Sequence, residues 1–213
     1  MAERLAAAYG AKFQLPDFKA SSAGTSAVIA QPIDHRAALV LGKLGGEVSN
    51  FAARQLTSRI ASDADLVLTM AKAHRDTVLE LAPRQLPRTF TLGEAARLAS
   101  ECGARTVTDL AQLRPQLGAH ELLEIPDPIG QSSEFFEMIG SQIADLLPPI
   151  LELCRAIDPA RMACCRTLFA HLTAHAGCSG HRLDRAQLPR RSITSRNVLR
   201  MILMSNHSDQ FSM

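Results

Sequence analysis

The stretch that most constrains this chain is Ala64-Asp65-Leu66-Val67-Leu68-Thr69-Met70, a short apolar burst bounded by polar residues. It is too short for a helix of its own and fits a strand buried on both faces of a parallel sheet. A helical pattern follows at once, with Val78, Leu79 and Leu81 facing one way, and Pro83 ends it. Strand followed by helix is the building block of an α/β sheet.

The other elements follow in order. Met1–Gly10 has a helical pattern, with Leu5 and Tyr9 on one face and no cap ahead of it, and Gly10 can end it. Phe18–Thr25 is expected to be a strand running into a small-residue turn. Asp34 caps a predicted helix over His35–Leu44, with Ala38, Leu41 and Leu44 on its apolar face and Gly45-Gly46 beyond. Ser58–Ser62 is a short helical turn and Thr89–Leu92 a second short strand. Gly93–Ser100 and Thr108–Leu113 are helical. Ser132 and Ser133 open a long helix through Phe136, Ile139, Ile143 and Leu146, which Pro148-Pro149 should kink or interrupt.

With 213 residues, 46% of them hydrophobic, the chain can hold one ordinary domain and an appendage. No run of eighteen apolar residues suggests a transmembrane helix, and Met1–Gly10 shows no secretory signal. The net charge of +2 says nothing about nucleic acid. Five unevenly spaced cysteines make no disulfide framework and point to reduced thiols in a cytoplasm.

Four phrases occur in one order with plausible spacing: SSAGT at Ser21–Thr25, AARQLTSRIASDADLVLTMAKAHR at Ala52–Arg75, RTFTLGE at Arg88–Glu94 and EIPDPIG at Glu124–Gly130. Together, from Met1 to about Leu153, they resemble the low-molecular-weight protein-tyrosine phosphatases, with the DPIG wording nearer the bacterial type. The resemblance implies an α/β fold with a four-stranded parallel sheet flanked by helices. It implies hydrolysis of protein phosphate monoesters through a cysteinyl-phosphate intermediate, with no cofactor and no metal. The partner would be a phosphorylated protein, with no specific nucleic acid and no membrane; the oligomeric state stays open.

In that family a Cys-x5-Arg loop between the first strand and the first helix supplies the nucleophile, the amide cradle and the phosphate-binding arginine. Six residues after Cys102, Cys154, Cys164, Cys165 and Cys178 stand Thr108, Ala160, Ala170, His171 and Asp184, so the motif is absent from this sequence. Asp127 matches the family's general acid on its Asp-Pro loop, although Asp-Pro is also a common turn pair. Two residues later, where tyrosine-specific members often carry an aromatic ring, stands Ile129. That departure opens phosphoarginine as an alternative substrate. Ser22 matches a serine that supports the phosphate loop, or is simply a turn serine. Arg54 has a structural role and His74 is expected to be a solvated helix residue.

The words MAERL commonly come just after the family's phosphate loop, so the sequence is expected to begin inside the domain, lacking its first central strand. The strands at Phe18 and Ala64 would then face an empty slot. Each orphaned buried N–H or C=O costs about 1–3 kcal/mol, against a net stability of about 5–15 kcal/mol. The chain is therefore expected to be unstable, and to be inactive as it stands or a phosphatase-like binding module. The expected domain is 1–153, followed by a basic tail over 154–213 with nine arginines and no lysine, disordered or irregular. Cys164, Cys165, His171, His175, Cys178 and His181 cluster in that tail, but their spacing matches no zinc module, and no metal site is assigned.

Overall fold

The structure is a computed structural model, and it describes residues 1–118, 124–155 and 199–205. The chain divides into a unit of Met1–Ala156 with Val198–Met213 and a second unit, Ile157–Asn197, which lies outside the described residues. So does the Cys164–His181 cluster.

Four strands form one parallel sheet: β1 (Phe18–Gly24), β2 (Leu66–Thr69), β3 (Thr89–Thr91) and β4 (Leu199–Ser205), in the order β1-β4-β2-β3. This is the α/β fold and the four-stranded parallel sheet that the sequence predicts. The central slot, however, is not empty. β4 pairs with β1 from Phe18↔Leu199 to Gly24↔Ser205 and with β2 from Leu66↔Met201 to Thr69↔Met204. A segment expected to be tail is thus a central strand, and the orphaned backbone groups that predicted instability have partners. Residues 156–198 and 206–213 of the expected tail lie outside the described residues.

Around the sheet lie α1 (Ala2–Lys12), α2 (His35–Lys43), α3 (Ser58–Ser62), α4 (Lys72–Leu81), α5 (Leu92–Ser100), α6 (Val107–Leu113) and α7 (Ser133–Arg155). Local chemistry sets their ends. Asp34 Oδ1 accepts from the amides of Arg36 (2.8 Å) and Ala37 (3.2 Å), capping α2. Thr91 with Glu94 and Thr106 with Asp109 form reciprocal capping boxes at α5 and α6. Pro83 stops α4 and opens a 3₁₀ turn over Pro83–Arg88.

Three expectations change. Gly10 does not end α1; a Cβ there would stand 2.5 Å from the Phe18 ring, so this glycine lets the helix lie on β1. The buried face of α2 is Ala37, Val40 and Leu41 rather than Ala38, Leu41 and Leu44. α7 runs unbroken through Pro148-Pro149. An interior proline costs about 3 kcal/mol, but Leu147, Ile150 and Leu151 beside the pair are fully buried, each worth about 1.5–3 kcal/mol.

Gly140 sets how close α2 and α7 come, because a Cβ on it would lie 2.3 Å from Val40 Cγ1. Gly140→Ala is expected to lower stability by about 1–3 kcal/mol through overpacking. Adding Val40→Ala should recover part of that loss, so urea melts of the two single variants and the double variant should be non-additive.

Candidate active site

Strands β1, β4 and β2 point their C-terminal ends at a cavity of about 140 Å³. Its wall includes the start of α1 (Met1–Glu3), Ser22–Gly24, Asp34, Arg54, His74, Ile125–Ile129, Phe136, Leu203 and Met204. The carboxyl end of an open parallel sheet is where α/β proteins bind ligands.

Asp127 sits in this wall on a loop that two contacts tie to the start of α4. The Ile125 amide donates to the Met70 carbonyl (2.9 Å), and Glu124 Oε1 accepts from the Lys72 amide (3.0 Å). Within the loop, the Ile129 amide donates to Asp127 Oδ1 (3.0 Å). Ile129 lines the cavity and packs against Ala37, Val40 and Phe136. Ser22 donates its hydroxyl to the Glu3 carboxylate in the first turn of α1. Arg54 donates to the Ser22 carbonyl (2.7 Å), which ties its guanidinium to the end of β1. The structure therefore brings Asp127, Ile129 and Ser22 around one cavity.

His74 is a correction. It is 8% exposed, not solvated, and its Nδ1 is buried without a hydrogen-bond partner. The i, i+4 spacing to buried Val78 puts it on the packed face of α4, a signal available in the sequence. Glu3 and Glu124 escaped sequence reasoning. Glu3 carried a weak sign, an acid in a helix's first turn, while Glu124 acts only once the Asp-Pro loop meets α4.

The electrostatics are mixed. Glu3, Asp34 and Asp127 supply negative charge and Arg54 positive charge. The Met1 α-amino group lies in the same wall, and its pKa is lowered to about 6, with burial the main cause. Among the described residues no cysteine lines the cavity, and none groups with His, Asp or Glu as a metal site. Cys154 is buried on α7, where desolvation pushes its thiol up to about 12, and its Sγ lies 3.6 Å from the Ile150 carbonyl. An active nucleophile needs the opposite, a depressed pKa.

The family model for low molecular weight phosphotyrosine protein phosphatase matches residues 1–102. Residues 1–102 of this chain therefore resemble that family. The "Probable low molecular weight protein-tyrosine-phosphatase AmsI" of Erwinia amylovora is 34% identical over 82 residues, 38% of this chain and 57% of that protein. The Escherichia coli K12 phosphatase Etp is 29% identical over 126 residues, 59% of this chain and 69% of its own. This chain thus spans little more than half of AmsI. Among solved structures, Vibrio vulnificus Wzb in complex with benzylphosphonate aligns with a TM-score of 0.52 at 26% identity, over 71% of this chain and 86% of Wzb. The YwlE arginine phosphatase from Geobacillus stearothermophilus shares the fold, with a TM-score of 0.54 at 22% identity over 83% of this chain and 92% of YwlE. None of the described helices is long and apolar enough to cross a membrane.

A thiol with a pKa near 12 is thiolate in only about one part in ten thousand at pH 8. In the native chain, iodoacetamide at pH 8 should leave Cys154 unmodified, and urea should expose it to reaction. Peptide mass mapping reads the site; native alkylation of Cys154 would contradict its burial.

Proposed function

We propose that this domain takes a phosphorylated protein side chain in the cavity at the strand ends, as a protein-tyrosine-phosphatase-type site whose general acid position is Asp127. The single observation that carries the reading is the Asp127 loop, hydrogen-bonded to the β2–α4 junction and lining a cavity at the carboxyl edge of the sheet. In family chemistry a cysteine thiolate attacks phosphorus, the bond from phosphorus to the leaving oxygen breaks, and the aspartic acid gives that oxygen its proton. Water then hydrolyses the cysteinyl phosphate. This sequence supplies the acid and no Cys-x5-Arg. The 213-residue chain therefore binds without turnover, and binds weakly, because Glu3, Asp34 and Asp127 line the cavity beside Arg54.

A second reading, a phosphoarginine-type substrate, rests on Ile129. An aliphatic side chain offers no ring to stack on a phosphotyrosine. The reduced-thiol composition supports a cytoplasmic setting, and no metal or cofactor enters the reading.

The test uses the purified 213-residue chain with p-nitrophenyl phosphate, a phosphotyrosine peptide and a phosphoarginine peptide. No phosphate release above background is expected with any of them. Inorganic phosphate should bind in the millimolar range, and Asp127→Asn should tighten it about fivefold. That is about 1 kcal/mol, the repulsion between unit charges roughly 4 Å apart in water. Turnover lost on Asp127→Asn would overturn the no-turnover claim. Phosphate binding indifferent to Asp127 would overturn the site.

A further inference from the structure

The family model matches residues 1–102 and does not reach the last residues of this chain. We propose that the slot between β1 and β2 is a strand-acceptor site whose occupant is this chain's own Leu199–Ser205. In this chain the central position of the sheet then goes to a strand from the C-terminal part of the sequence. This builds on the family reading of the fold and not on any activity.

Four observations fix the occupant. The ladder is two-sided, seven residue pairs with β1 and four with β2, all parallel and in one continuous register. The side chains alternate between two cores. Met201 and Leu203 join the larger cluster with Leu5, Leu66, Leu68 and Leu147. Ile202 and Met204 join the smaller one with Ala23, Val67 and Val78. All four are at most 4% exposed, so both faces are covered, as a central parallel strand requires. Asp65 closes the start of the ladder: its amide donates to the Arg200 carbonyl (2.9 Å) and its Oδ2 accepts from the Arg200 amide (2.9 Å). A parallel crossover needs a dozen or more residues, and residues 156–198 lie between α7 and β4.

One slot holds one strand. β4 brings Leu203 and Met204 to the cavity, and the sequence after Met204 holds neither cysteine nor arginine. A strand that carried the Cys-x5-Arg loop into this position would have to displace β4. Occupancy by β4 and a family-type nucleophile loop are mutually exclusive states of the sheet.

Methionine oxidation of the full chain tests the proposal. Under mild peroxide, Met138, which is 52% exposed, should be oxidised, while Met201 and Met204 should lag it about tenfold or more and catch up in denaturant. Light scattering should give the mass of one chain. Ile202→Asp in the full chain should abolish the cooperative melt, and Ile202→Val should keep it. Oxidation of Met201 and Met204 at the rate of Met138 would overturn the proposal. So would protection confined to a dimer, which puts a second copy's strand in the slot. An Ile202→Asp chain that melts like the parent would overturn it as well.

Discussion

The backbone ladder at the centre of the sheet is the interaction on which the rest depends. A parallel sheet covered on both faces leaves no water for an unpaired amide or carbonyl, so its middle position must be filled. β4 fills it and connects the two hydrophobic clusters through alternate side chains. The cavity follows from the same strand. Its floor is Leu203 and Met204, its walls are the start of α1, the end of β1 and the Asp-Pro loop, and those walls keep their spacing because β4 holds β1 and β2 apart.

The Asp127 loop is held in place by the backbone where β2 gives way to α4. The Ile125 amide donates to the Met70 carbonyl just after β2, Glu124 accepts from the Lys72 amide at the start of α4, and Asp127 lines the cavity. The thiols of the described residues serve packing instead: Cys154 is buried in the main core and Cys102 packs against it. A carboxylate stands on the cavity wall, and among the described residues no cysteine lines it.

Much of this was legible in the sequence. Asp34 capping α2, Pro83 stopping α4 and the buried strand around Leu66–Thr69 each follow from local rules, and tertiary packing agrees with them. The misses share a cause. Gly10 and the buried face of α2 depend on what lies opposite, which spacing alone does not reveal. The Pro148-Pro149 signal is overruled by its deeply buried flanks. β4 is the instructive case. Val198-Leu199-Arg200-Met201-Ile202-Leu203-Met204 is a short apolar run between polar residues, the same signal that marks Ala64–Met70. Its setting in an arginine-rich tail hides it, and so does the expectation that a family's first strand comes first in the chain.

The most direct measurement of this account is hydrogen exchange on the intact 213-residue chain, read at the amides of Met201–Met204. The account predicts protection equal to that of Leu66–Thr69, since the two strands share one ladder and should open together. Exchange at Met201–Met204 within seconds, with Leu66–Thr69 still protected, would show that the sheet stands without β4 and would contradict the account.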